Sequence, residues 1–283
     1  MSSVTLPQGT VHYAESGSGR PLVFVHGLLV NGSLWRKVVP LLEGDFRCIV
    51  PELPLGSHRS ALTDPDAASP PGVAKLVADF IAALELEDVV LVGNDTGGAI
   101  SQIVAADHPE RLGALVLTPC DAYENFLPPA FRPLQWLAHV PGALTGILQG
   151  MRIGAIRRSP LGYGMLLKRP DPQVLEGWAR PSLEDPAVRR DAVSFLKRID
   201  KRYTLEAAEK LKSFPHPVLL AWAPEDRFFK LKFAERLAAD IPDARLERVE
   251  DSRTFMSEDQ PERLAELIAA FARAPQGQPA SSG

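Results

Sequence analysis

Short, unbroken aliphatic runs alternate along the chain with longer stretches whose apolar residues return every three or four positions. Leu22-Val23-Phe24-Val25, Cys48-Ile49-Val50, Val89-Val90-Leu91-Val92, Leu115-Val116-Leu117 and Val218-Leu219-Leu220-Ala221 are of the first kind. Runs this short predict strands buried on both faces. Thr10-Val11-His12-Tyr13-Ala14, turned by Gly17, Gly19 and Pro21, predicts another strand, and Leu246 with Val249 predicts the last. The second kind is clearest where Val73, Leu76, Val77, Phe80, Ile81 and Leu84 form one apolar stripe at helical period. Helices are also predicted from Trp35 to Leu42, through Ile100, Ile103 and Val104, and from Leu231 to Ala239. A final one starts at Pro261 and puts Leu264, Leu267, Ile268 and Phe271 on one face. Strand alternating with helix predicts an α/β fold, with a mostly parallel central sheet, right-handed crossovers and helices on both faces.

From Asp121 to Leu211 the pattern changes. Strand signals stop, and prolines from Pro128 to Pro186 punctuate short helical pieces such as Val188 to Ile199. Trp136, Leu137, Ile153, Leu166, Leu167, Trp178 and Phe195 are too apolar for a disordered linker. Residues 121–211 are therefore expected to form an inserted helical cap on a core made of 1–120 and 212–274. The Pro-Gln-Gly-Gln-Pro-Ala-Ser-Ser-Gly end, 275–283, is expected to be a disordered tail.

Composition narrows the function classes. A chain of 283 residues with 45% hydrophobic and 23% charged residues is an ordinary globular protein with room for a substantial core. A net charge of −4 with no basic cluster makes nucleic acid an unexpected partner. The apolar runs are strand-length, so no membrane span, and hence no membrane partner, is expected. The opening Met1-Ser2-Ser3-Val4-Thr5 lacks the charged and apolar regions of a signal peptide, which makes a cytoplasmic location the expectation. Cys48 and Cys120 form neither a disulfide framework nor a zinc pattern. Gly93-x-x-x-Gly97-Gly98 lacks dinucleotide-binding spacing, and no metal or organic cofactor is implied. Oligomeric state is not readable.

The chemistry concentrates where Val89-Val90-Leu91-Val92 runs into Gly93-Asn94-Asp95-Thr96-Gly97-Gly98 and then a helix. A strand-to-helix turn with glycine on both sides holds its central residue, Asp95, strained and outward. The bland alternative is a helix whose Asp caps backbone N–H groups.

Taken together, strand-His26-Gly27, the Asp95 turn, the helical insertion, strand-Glu225-Asp226 and the closing helix resemble the α/β-hydrolase fold. Asp at the turn resembles the branch containing haloalkane dehalogenases and epoxide hydrolases. The resemblance implies that Asp95 is a nucleophile, already anionic and able to form an ester by attack at carbon. It implies that the backbone N–H groups of Leu28 and Thr96 are the oxyanion-hole donors. Asp226, or in some relatives a residue at the position of Asp121, would be the acid that orients a catalytic histidine. His26, Tyr163, Thr254 and Phe255 are the candidates for surrounding the substrate, His26 chiefly by supporting its loop.

The chain departs from that pattern in the segment that should carry the histidine. Asp251-Ser252-Arg253-Thr254-Phe255-Met256 puts Thr254 in its place, and no histidine follows His216. Of the remaining histidines, His58, in a loop at the carboxyl end of a strand, is the one placed to replace it. Leu28 and Thr96 offer no halide cradle, and Leu29 breaks the His-Gly-x-Pro signature of epoxide hydrolases. Three functions stay open: a hydrolase of a small, mainly apolar molecule with an impaired second step and water activated by His58, Glu258, Asp121 or Asp226; a lyase or isomerase using Asp95 as acid or base; and a binding protein on a hydrolase scaffold.

Overall fold

The computed structural model describes residues 1–273. The tail expected at 275–283 lies outside them. Eight strands form one sheet: β1 (Ser2–Leu6), β2 (Gly9–Ser16), β3 (Pro21–Val25), β4 (Arg47–Pro51), β5 (Val89–Asp95), β6 (Leu112–Cys120), β7 (Val218–Trp222) and β8 (Ala244–Arg248). Their order is β1-β2-β4-β3-β5-β6-β7-β8. β1 pairs antiparallel with β2, and β2 antiparallel with β4; every other pairing is parallel.

The helices are α1 (Val39–Leu42), α2 (Pro70–Ala83), α3 (Thr96–Asp107), α4 (Arg132–Ala138), α5 (Ala143–Gly150), α6 (Gly154–Arg158), α7 (Pro172–Glu184), α8 (Pro186–Arg198), α9 (Lys201–Leu211), α10 (Leu231–Asp240), α11 (Met256–Asp259) and α12 (Pro261–Arg273). They cover both faces of the sheet. The central strands alternate side chains between two cores, as period two requires. Val23, Leu91 and Leu115 join Phe80 of α2 and Ile100 of α3, while Phe24, Val90 and Val116 join Trp35 and the α12 residues Leu264 and Ile268.

The expected strands and helices are present with two differences. β1 was not anticipated, because Ser2, Ser3 and Thr5 of an edge strand carry no apolar run; its exposed side faces solvent and needs none. The single helix expected from Trp35 to Leu42 is instead a 3₁₀ turn, Gly32–Trp35, followed by α1. Pro40 lacks the N–H a continuous helix would use, and it sits in the first turn of α1, where none is needed.

Between β6 and β7 the chain holds only helices, α4 to α9. α9 buries Ala207, Ala208 and Leu211 in the same core as α2 and α3. α7 and α8 are tied instead to the loop after β4. Ser57 Oγ donates to Trp178 O at 2.7 Å, and Ser182 Oγ donates to Gly56 O. Asp191, fully buried in α8, accepts from Leu62 N at 2.7 Å and from His58 Nε2 at 3.2 Å through one oxygen, and from Arg190 through the other. These bonds fasten α7 and α8 to the loop that leaves the carboxyl end of β4.

Asp191→Ala is expected to lower stability by about 2–3 kcal/mol, because it strands the Leu62 N–H and the His58 ring in a buried place. Asp191→Asn keeps an acceptor and should lose less. Urea denaturation followed by circular dichroism checks the ranking.

Candidate active site

Asp95 is the last residue of β5 and Thr96 the first of α3. Asp95 has φ 55° and ψ −134°, a conformation that side-chain-bearing residues avoid at a cost of about 1–3 kcal/mol. Close approach of backbone makes the turn possible. A Cβ on Gly97 would strike the carbonyls of Val25 and His26, and one on Gly27 would strike the Asp95 carboxylate.

That approach brings the loop after β3 to the carboxylate. The Leu28 N–H donates to Asp95 Oδ2 at 3.2 Å, and the Thr96 N–H also bonds the carboxylate. Two fixed backbone donors thus face the carboxylate, Leu28 on Oδ2. Asp95, Leu28 and Leu29 keep some solvent-accessible surface, whereas their neighbours His26, Gly27 and Thr96 are buried.

His26 shapes the loop. Its Nδ1 donates to Gly27 O at 3.0 Å, and its Nε2 accepts from Leu53 N at 2.9 Å. Burial pulls its pKa down to about 4, and the nearby His58 adds to the fall, so the ring is neutral at pH 7. Both nitrogens are committed to backbone, which fixes the loop that carries Leu28.

Three acids converge. Asp121 follows β6, whose Cys120 pairs with Asp95. Its Oδ2 accepts from Thr96 Oγ1 at 3.4 Å, and its buried Oδ1 has no partner among the described residues. Asp226 follows β7; its Oδ1 accepts from Phe228 N and Phe229 N, each at 2.7 Å, and its Oδ2 accepts from Thr254 Oγ1 at 2.6 Å. Burial pushes the Asp95 carboxyl up to about 7, against the pull of the Thr96 and Leu28 N–H groups, and the charge of Asp226 adds to the rise. Burial, with the charge of Asp95, holds Asp121 well above the usual carboxylate range; burial also raises Asp226, whose hydrogen bonds and Lys230 oppose it.

Thr254 lies on the loop after β8 and is fully buried. Its carbonyl accepts from Asn94 Nδ2 at 2.7 Å, and Phe255 N donates to Leu166 O at 2.9 Å. Phe255 packs edge-on to Trp178 at 5.2 Å, and Trp178 edge-on to Tyr163 at 5.4 Å. The Tyr163 hydroxyl donates to Leu29 O at 2.7 Å, and burial raises its pKa. It therefore braces the Leu28–Leu29 loop.

The remaining candidates stand apart. His58 accepts from Gly56 N through Nδ1 at 3.3 Å and faces Asp191 through Nε2. Glu258 is paired with Arg36 at 2.9 Å and Lys37 at 3.0 Å. Asn94 was not singled out from the sequence, yet its amide joins the end of β5 to Thr118, Pro119 and Thr254. Its place beside Asp95 was the available signal. Two hollows, of about 310 and 280 Å³, lie away from Asp95, one lined by residues of α5 and α8, the other beside α2 and His108.

A parallel α/β sheet that sets an acid on a strained strand-to-helix turn, facing backbone donors from the loop after a neighbouring strand, defines the hydrolase-type scaffold. The chain belongs to the alpha/beta hydrolase fold family, whose model matches residues 20–261. It is similar to the uncharacterized hydrolase YugF of Bacillus subtilis, 29% identical over 92% of each chain. It is also similar to haloalkane dehalogenase 2 of Mycobacterium tuberculosis, 27% identical over 92% of this chain and 91% of the relative. The solved structure of the ancestral haloalkane dehalogenase AncHLD2 superposes with a TM-score of 0.80 at 22% identity, covering 96% of this chain and 98% of that one, which shows the shared fold.

The raised Asp95 carboxyl has a consequence for stability. Its ordinary value is 3.8 and its folded value about 7, so between these the native state binds more protons than the unfolded one. Stability contributed by Asp95 therefore falls as pH rises across that window. Asp95→Asn should stabilise the protein at about pH 8, by on the order of 1 kcal/mol or ~2–4 °C, and change little near pH 4. Thermal melts of both proteins across that range test it; parallel curves would show that the carboxyl is not held neutral by its site.

Proposed function

We propose that the protein is a hydrolase that acts on a small, mainly apolar molecule through an ester on Asp95. The observation that carries this is the placement of the Asp95 carboxylate against the Leu28 and Thr96 N–H groups, with Leu28 on Oδ2 at 3.2 Å. Oδ1 is then the oxygen left to attack. It would bond to an electrophilic carbon while the leaving group departs with the bonding pair. Oδ2 becomes the ester carbonyl oxygen and already lies where the oxyanion develops when water attacks. Donors so placed are worth ~2.7–4 kcal/mol each to a barrier. In this reading α4 to α8 act as the cap over the substrate, and the protein works in the cytoplasm. The similar proteins named as dehalogenases support the class of chemistry.

The second step is the weak one. Relatives of the Asp-nucleophile branch use a histidine as base, and Thr254 stands at its position. Its hydroxyl proton is given to Asp226 at 2.6 Å, and a threonine oxygen is far too weakly basic to deprotonate water. A general base is worth ~10²–10⁴-fold in rate. His58, facing Asp191, and Glu258, paired with Arg36 and Lys37, are both engaged elsewhere. The ester should form faster than it is cleaved.

A second reading has its own support. A carboxyl at about 7 is poised for proton transfer near neutral pH, as a lyase or isomerase acid–base group would be. No ester would then form.

Incubation with epoxide, haloalkane and activated-ester probes, followed by intact mass and peptide mapping, separates the two. An adduct on Asp95 is expected, forming faster as pH rises through about 7 because the carboxylate is the attacking form. Asp95→Asn should abolish it. Thr254→His should shorten its life at least ~10-fold. Absence of any adduct, with activity that survives Asp95→Asn, would remove Asp95 as the nucleophile.

A further inference from the structure

The large hydrophobic residues most exposed to solvent are Met1, Leu41, Trp136, Val140, Ile147, Ile153 and Leu161. All but the first two fall in α4 to α6 and their connections. Trp136 is 68% exposed and Leu161 84%. Exposed apolar residues scattered singly need no explanation, but a concentration in one stretch does.

The same stretch has an unusual charge. From Asn125 to Pro170 there is no Asp or Glu, whereas Arg132, Arg152, Arg157, Arg158, Lys168 and Arg169 are present, in a chain whose net charge is −4. Arg132, Arg152 and Arg158 are exposed and form no ion pair among the described residues. α8 adds to this surface from behind. Arg152 donates to Leu183 O at 3.1 Å, and Arg189 donates to the adjacent carbonyl of Ser182. Val140, Leu144, Arg189 and Lys197 line one hollow of about 310 Å³. Exposed apolar side chains and unpaired cations thus share the stretch from α4 to α6, and Val140 meets the α8 cations Arg189 and Lys197 around one hollow.

We propose that this face docks on the surface of an anionic lipid bilayer. Trp136, Val140, Ile147 and Ile153 would enter the boundary between headgroups and acyl chains, and Arg132, Arg152, Arg189 and Lys197 would meet lipid phosphates. Charge complementarity selects this occupant. A second copy would bring the same cations against themselves, and a nucleic acid would leave the apolar residues without partners. An interfacial surface needs no spanning helix, and among the described residues no helix is long and apolar enough to cross a membrane. The absence of such a span, which made a membrane partner unexpected from the sequence, does not bear on it. The inference stands independently of the chemistry at Asp95.

Co-sedimentation of the full chain with phosphatidylglycerol-containing and pure phosphatidylcholine vesicles tests it. Binding to the anionic vesicles should exceed binding to neutral ones by at least about tenfold and be lost at high salt. Trp136→Ala with Ile147→Ser, and separately Arg132→Glu with Lys197→Glu, should each reduce it by about tenfold without lowering the melting temperature. No binding, equal binding to both vesicles, or unchanged binding by both double variants would overturn the proposal. So would sedimentation velocity showing a dimer that Trp136→Ala dissociates, or tighter binding to a single-stranded oligonucleotide than to vesicles. Should the variants melt early, the lipid and salt comparisons on the unaltered protein still decide.

Discussion

Everything at the candidate site depends on how closely the backbone after β3 approaches the end of β5. Gly27 and Gly97 have no side chain at the point of contact, and this alone lets the Leu28 N–H reach Asp95 Oδ2. Around the contact, other groups are recruited to hold it. His26 spends both ring nitrogens on the backbone of Gly27 and Leu53, and Tyr163 reaches from the helical segment to Leu29 O. The strain at Asp95 persists because these bonds over-determine the turn. A helix cap would not need such an arrangement; an Ncap Asp has extended backbone and accepts from the second or third N–H of its helix, whereas Asp95 has positive φ and makes no such bond.

The second constraint is electrostatic. Asp95, Asp121 and Asp226 share a buried region, and each raises or is raised by a neighbour's charge. The cation facing this group is Lys230, near Asp226. Two answers to the resulting cost are visible. Backbone donors hold Asp95 and Asp226, while Asp121, with one oxygen unpartnered, is held by burial well above the usual carboxylate range. A histidine at Thr254 would supply a positive charge in the middle of the cluster; a hydroxyl supplies a hydrogen bond and no charge. A cation there would oppose the rise that burial causes at Asp95.

The fold was legible in the sequence because buried parallel strands are written as unbroken aliphatic runs. Val89 to Val92 and Val218 to Ala221 need no context to be recognised. β1 was illegible because an exposed edge strand has no such run, and the break before α1 turned on Pro40. The members of the site at strand ends, Asp95, Asp121 and Asp226, were also legible, since strand termini locate the active edge of an α/β sheet. What could not be read was which bonds the loops would make. His58 looked like a free base beside the site, but its partner Asp191 is 133 residues further on, in a helix whose packing no local pattern specifies. Nor could the sequence show that Tyr163, a candidate for surrounding the substrate, is tied to Leu29 O.

Those long-range bonds also connect the site to the helical segment. Tyr163 joins Leu29 to an aromatic series, Tyr163–Trp178–Phe255, that ends at the residue after Thr254. The loop bearing Leu28 and Leu29 and the loop bearing Thr254 are thus joined through α7, not only through the sheet. Trp178 is anchored in turn, its Nε1 donating to Ser33 Oγ at 2.9 Å and its carbonyl accepting from Ser57 Oγ. A movement of α7 therefore acts on both walls of the site at once. Cation-bearing residues Arg152 and Arg189 bond the carbonyls at the carboxyl end of that same helix. The face proposed to dock is thereby bonded to the same helix that joins the Leu29 loop to the Thr254 loop.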